Sequence, residues 1–198
     1  MMKNHLIASA VLSLVSLGAM AQSTTAGSVQ RDVNQQTRIE QGLQSGSLNT
    51  REAAKLEKEE SRIDHMQARA LKDGKLSAEE EAKLKAAQDK ANRDIAAAKH
   101  NTTTGNPNSA SSQRMQADVQ RNVNQEKRVE AGVQNGSLTN REVSKLERGQ
   151  SHVTRKEAKA GADGHVGAKE QRRVDKAEDH QSKRVLKEKT DAQVRDPS

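Results

Sequence analysis

At 198 residues, with no cysteine, tryptophan, tyrosine or phenylalanine, the chain excludes disulfide and thiol chemistry and any aromatic platform on which single strands could stack. Its formal net charge of +7 is well mixed along the sequence, without the concentrated basic stripe of a nucleic-acid binder. The charge therefore reads as a solvated face, with an anionic membrane surface as the second choice.

Residues 1–21 read as a signal peptide. Lys3 supplies the basic start, Leu6 to Leu17 form an apolar run, and Ala19-Met20-Ala21 is an A-x-A cleavage site. The run is too short to span a bilayer, so a periplasmic or secreted location is expected. Beyond the signal, 26 of 177 residues are Val, Ile, Leu or Met, below the region of about 20% where disorder sets in. The remainder is rich in Ala, Glu, Lys, Gln and Arg, which favour helices. The expectation is helices with thin apolar seams and low tertiary stability.

One short pattern organises the chain. It reads GSLNTRE from Gly46, DGKLSAEE from Asp73, GSLTNRE from Gly136 and DGHVGAKE from Asp163. A glycine ends one helix in the left-handed conformation. A small polar residue then caps the next helix, and a glutamate three residues on reaches back to the cap. Ser77 with Glu80 and Thr139 with Glu142 are capping boxes, and Asn49 with Glu52 approximates one. Leu138 and Val143 are spaced as a hydrophobic staple. Gly167, in the fourth cap position, has no side-chain oxygen to offer.

The second half copies the first. Arg31-Asp32-Val33-Asn34-Gln35 matches Arg121-Asn122-Val123-Asn124-Gln125 at a shift of 121 − 31 = 90. Gly46, Leu48, Arg51, Glu52 and Leu56 recur as Gly136, Leu138, Arg141, Glu142 and Leu146. A fainter repeat of 74 − 46 = 28 runs inside each half, a period typical of stacked supersecondary units. Six helices follow: Val29–Gln44, Thr50–Lys72, Ala78–Lys99, Gln113–Gln134, Asn140–Ala160 and Ala168–Lys189. Leu56, Ile63 and Ala70 fall seven apart, as do Leu146, Val153 and Ala160. The predicted fold is all-α: two homologous three-helix units of antiparallel hairpins, 28–100 and 114–190, joined by a flexible linker over 101–113 that contains Gly105 and Pro107. Residues 22–27 and 191–198 read as loose ends. Each half is small for a self-sufficient core, so the halves pack together or the chain forms a homodimer.

The sharpest chemical reading of the repeated turn is a calcium loop of the EF-hand type. With Gly74 at loop position 6, Asp73, Leu76, Ser77 and Glu80 fall at positions 5, 8, 9 and 12. Positions 1 and 3 are Arg69 and Leu71, where oxygen ligands are needed, and Lys159 and Gly161 fail likewise beside Asp163 and Glu170. Capping alone explains these carboxylates. His152 and His180, 28 apart, are candidates for a weak copper, nickel or zinc site, against a plain reading as exposed helix residues. The metal candidates are therefore Asp73, Glu80, Asp163, Glu170, His152 and His180, with no cofactor as the preferred expectation. No Ser/His/Asp set stands out, and so little apolar mass hardly builds a pocket that tunes a catalytic group. No enzyme is expected.

The phrase R-[IV]-E-x-G-[LV]-Q-x-G-S-L-x-x-R-E-x-x-K-L-E, followed by A-x-x-D-G-x-[LV], resembles a group of exported helical repeat proteins of Gram-negative bacteria. The likeness covers both halves, implies export and an all-α fold, and carries no activity. A slighter one, resting on Leu138-Thr139, is to small periplasmic stress chaperones and metal-stress sensors. The expected function is a non-enzymatic interaction protein of the cell envelope, stress-related or chaperone-like, with a protein partner there. The alternative is a weak calcium or transition-metal binder.

Overall fold

The computed structural model describes residues 17–191, with side chains from residue 24. The chain is all-helical among these residues: α1 Leu17–Ser45, α2 Thr50–Ala70, α3 Ala78–Lys99, α4 Ala110–Gln134, α5 Asn140–Ala160 and α6 Ala168–Thr190, with a single 3-10 turn Leu71–Asp73 after α2. Most of the expected export signal, residues 1–16, and most of the expected tail, residues 192–198, lie outside the described residues. No described helix is long and apolar enough to cross a membrane.

The four glycine turns form as their chemistry requires. Gly46, Gly74, Gly136 and Gly164 have φ of 75°, 93°, 77° and 90°, a region nearly closed to residues with a Cβ. Asn49, Ser77 and Thr139 each accept from the N–H three residues on. Glu52, Glu80 and Glu142 return the bond to the cap N–H at 3.1, 3.0 and 2.7 Å. At Gly167 only the return bond exists, from its N–H to Glu170 at 2.9 Å.

The helices are longer than expected at one end. The stretch 22–27, read as a loose end, belongs to α1. Nothing in it breaks a helix strongly, and its last residues find cover: Thr25 is buried and Ala26 packs against the cluster that holds Val129 and Val133. The linker is shorter and tethered. Ser109 caps α4, the Gly105 N–H donates to Gly46 O at 2.8 Å, and Asn101 donates to Glu52 at 2.7 Å.

The halves do not fold side by side as separate units. α2 packs along α5 and α1 along α4; α3 and α6 flank the outside. The 90-residue shift becomes a pseudo-twofold axis through the α2/α5 crossing. There Ser61 Oγ donates to Ser151 O at 3.0 Å and Ser151 Oγ donates to Ser61 O at 2.7 Å. The duplicated arginines reach across the same axis. Arg51 donates to Asp163 O at 2.7 Å, and Arg141 to Asp73 O at 3.2 Å. Each satisfies a carbonyl that a helix terminus leaves open. Such mutual use of one patch is the geometry of a symmetric dimer interface, here inside one chain.

The symmetry yields two apolar cores shared by the halves, beside a smaller cluster of Ile63, Leu84 and Ala91 within the first half. One joins Ile39, Leu43, Leu48 and Leu56 of the first half to Met115, Val119 and Val166 of the second. The other joins Val129, Val133, Leu138 and Leu146 to Val29 and Leu71. Both halves supply both cores, so neither half can bury its own seam alone. Burying each Leu or Ile contributes about 1.5–3 kcal/mol.

Candidate functional site

Between the cores the interior is polar. Along α2 the buried residues run from Leu56 in one core through Glu57, Glu60, Asp64 and Gln67 to Leu71 in the other. Along α5 they run from Leu146 through Glu147, Gln150, Thr154 and Glu157 to Ala160. Both helices are wrapped by neighbours on more than one side, so the polar stripe beside the apolar seam is enclosed as well.

Nine buried carboxyls form two layers related by the axis; Glu40, Glu142 and Glu188 are buried elsewhere. One holds Asp32, Glu60, Asp64, Glu126 and Glu147, whose charges act on one another. The other holds Glu57, Asp118, Glu157 and Glu178. No lysine, arginine or histidine is buried among the described residues. Only Arg121, itself part-exposed, reaches in, to Glu178. An isolated carboxylate in such a place is costly enough that it takes up a proton instead. Burial accordingly pushes Asp32, Glu57 and Asp118 up to about 7, and Glu178 up to about 8 against the pull of Arg121. Burial, reinforced by neighbouring acids, holds Glu60, Asp64, Glu147 and Glu157 well above the usual carboxylate range.

Amides and hydroxyls order the belt. Gln88 Nε2 donates to Asp32 at 2.7 Å, Gln36 to Glu57 at 3.1 Å and Asn122 to Glu157 at 2.7 Å. Thr154 Oγ1 of α5 donates to Asp64 of α2 at 3.1 Å. Other oxygens have no partner: Asp32 Oδ2, Glu60 Oε2, Glu126 Oε2 and both oxygens of Glu147. A proton on such an oxygen removes the charge that burial penalises. Glu57 Oε1 and Glu157 Oε1 likewise have no partner.

At five of the nine belt carboxyls the sister position differs in charge and keeps its shape. Asp32, Glu60 and Glu126 stand where the other half has Asn122, Gln150 and Gln36. Glu157 and Glu178 stand opposite Gln67 and Gln88. An acid and its amide are nearly isosteric, and a protonated acid also resembles an amide in offering one donor and one acceptor. This exchange of acid for amide is the signal by which the sequence could have revealed an enclosed polar layer, and the sequence reading passed over it.

The expected metal residues are distributed as follows. Glu80 and Glu170 use their carboxylates on the cap N–H groups of Ser77 and Gly167. Asp73 Oδ1 accepts from the Lys75 N–H at 2.9 Å, and Asp163 Oδ1 from the His165 N–H at 2.8 Å. His152 and His180 line one cleft between α5 and α6, together with His65 of α2. Two other groups place carboxylate oxygens within 4.8 Å of one another: Asp118, Asp175 and Glu178, and Glu142, Glu188 and Asp191. The first already holds the Arg121 guanidinium and the second the Lys145 ammonium, at 3.2 Å from Glu188. A cation of the chain thus answers the charge of each.

Compared with protein-family models, with curated proteins and with solved structures, the chain matches none.

Proposed function

We propose that the protein is an exported, non-enzymatic interaction protein of the cell envelope, built to keep its shape in acid. The observation that carries this reading is the belt: nine buried carboxyls between two apolar cores, with no buried base among the described residues. Outside the cytoplasm the surroundings set the pH. A fold whose interior carboxyls are neutral gains stability where surface carboxylates of ordinary proteins lose theirs. The same belt supports a role without catalysis, because its titratable groups are sealed from any substrate. The thin apolar seams are consumed inside the bundle, which leaves a client or partner the charged outer faces of the helices.

The test compares the protein at pH 4.5 and pH 7.5 in two measurements, unfolding in urea and suppression of aggregation of a reporter enzyme. Greater resistance to urea and greater protection at pH 4.5 are expected. Stability that peaks at alkaline pH ends the acid reading, and absence of protection at both values ends the chaperone version.

A further inference from the structure

The outer face of α5 carries a second unusual charge distribution. A cleft of about 580 Å³ opens between α5 and α6, with His65 of α2 at its edge. Arg148, Arg155 and Lys156 enter it from α5, and Lys176 and Arg184 from α6. His152 and His180 complete the wall, and no aspartate or glutamate lines it. Among the described residues none of the five permanent cations has an ion-pair partner, although Lys83, Lys85, Lys90, Arg121 and Lys145 all do elsewhere.

The other half shows what this place looks like when its role is structural. At the sister positions Lys90 binds Glu59 at 2.6 Å and Asp94 at 2.5 Å, a closed ionic cluster between α2 and α3. In the cleft, Glu59 has become Gly149, Asp94 has become Arg184, and Lys90 has become His180. Both carboxylates are gone, and the cation Arg184 stands where one of them was. Gly149 also makes room: a Cβ there would fall 2.0 Å from Gln181 Oε1 and 2.5 Å from Arg184 Nη1. Cations gathered without counter-charge repel one another, and the focused positive potential attracts anions. His152 reports that field, because burial and then Lys156, Arg155 and Arg184 hold its pKa below the usual imidazole value.

We propose that this cleft is a binding site for clustered phosphate groups, taken either from a free oligophosphate or from a phosphorylated lipid headgroup. The volume suits a small ligand. Three guanidinium groups match the paired oxygens of phosphate better than those of a lone chloride or a simple dipole. Several negative charges close together are needed to answer five cations, which favours clustered phosphates over a single carboxylate.

The test titrates the protein with tripolyphosphate, and separately with phosphatidylcholine vesicles with and without phosphatidate, at about 50 mM salt so that screening stays moderate. Binding is read by calorimetry or co-sedimentation and by the His152 imidazole signal in NMR, whose pKa should rise when an anion binds. Arg184→Asp, which restores the sister residue, should weaken binding at least about tenfold, the loss of one charge-assisted contact or more. Lys127→Asp, the same charge change on exposed α4, should alter it less than about twofold, because a distant surface charge is screened. Should Arg184→Asp lose helicity, Arg148→Gln carries the same comparison. Response to tripolyphosphate alone identifies a free oligophosphate as the source; response that needs phosphatidate identifies a headgroup. Silence towards both ligands, equal weakening in both variants, or binding only to long DNA overturns the proposal.

Discussion

Replacing Asp32 by asparagine should leave the protein unchanged in acid and stabilise it in base. Asp32 is 1% exposed, accepts from Gln88 Nε2 at 2.7 Å through Oδ1, and has no partner at Oδ2. Burial raises its pKa from 3.8 to about 7, more than Gln88 and Arg31 lower it. Between those values the folded chain keeps a proton that the unfolded chain has released. The stability this contributes is fully present below about pH 4 and is lost as pH rises through about 7. The difference, 7 − 3.8, is about 3 units, or roughly 4 kcal/mol at 1.36 kcal/mol per unit. Asparagine, already present at the sister position 122, keeps the Oδ1 acceptor and presents an N–H₂ where the protonated acid has its O–H. Glu60, Asp64 and Glu126 share the layer, so part of the gain is taken up by their own ionisation. The measured stabilisation at pH 8.5 should then be about 2 kcal/mol or more, against less than about 0.5 kcal/mol at pH 4. The assay is urea unfolding followed by circular dichroism at 222 nm, since a chain without tryptophan or tyrosine has no useful fluorescence. Urea is preferred because a guanidinium salt screens the charges under study. Equal gains at both pH values, or wild-type stability that climbs from pH 4.5 to 7.5, would refute the reasoning.

Two further outcomes follow from the turns. Glu80→Ala and Glu170→Ala should each lower stability by about 0.5–2 kcal/mol through loss of a cap, and added calcium should shift the melting temperature of neither the variants nor the parent. A calcium-dependent rise that Glu80→Ala abolishes would move the turn from capping to ligation. Gly74→Ala should destabilise by about 1–2 kcal/mol, because φ of 93° strains any residue with a Cβ; a neutral result in urea unfolding would show that the turn relaxes freely.

The all-helical fold, the turns and most helix ends were legible in the sequence because each is a local matter. A capping box is written in four residues, and a shift of 90 is seen by eye. Helix α1 was read short because Ala26 gains its support from a cluster a hundred positions away, the one that holds Val129 and Val133. The belt was missed for a related reason. Glu57, Glu60, Asp64 and Gln67 lie at helical spacing beside Leu56 and Ile63, and a stripe of that kind usually faces water. Only tertiary wrapping by the other half turns it inward. Counting Val, Ile, Leu and Met likewise understated how much of the chain is enclosed, because part of the interior is amide and carboxyl. His152 and His180 were singled out as a pair, and they do line one cleft. The arginines and lysines around them were read as solvated, because an ion pair missing across two helices leaves no mark on either one.

The molecule sorts charge between its interior and its surface, and that has a measurable consequence. Acids are gathered inside, where burial favours their neutral form, and none lines the α5/α6 cleft outside. The formal +7 counts every one of the 27 acids as ionised. If the nine belt carboxyls keep their protons, nine negative charges vanish and the folded chain stands at +16. The unfolded chain at the same pH, with ordinary carboxyl pKa values, stays near its formal charge. Unfolding at pH 6 should therefore release protons, up to nine per chain and at least several, into a weakly buffered urea solution. At pH 3 both states hold their protons and the release should fall towards zero. The extra positive charge of the folded form also strengthens the field that draws anions to the α5/α6 cleft, so burying carboxyls and exposing guanidinium groups act together. If no protons are released at pH 6, the belt is ionised in the native state. The acids would then have to be neutralised by something other than protons, and the link between acid stability and anion binding would fail.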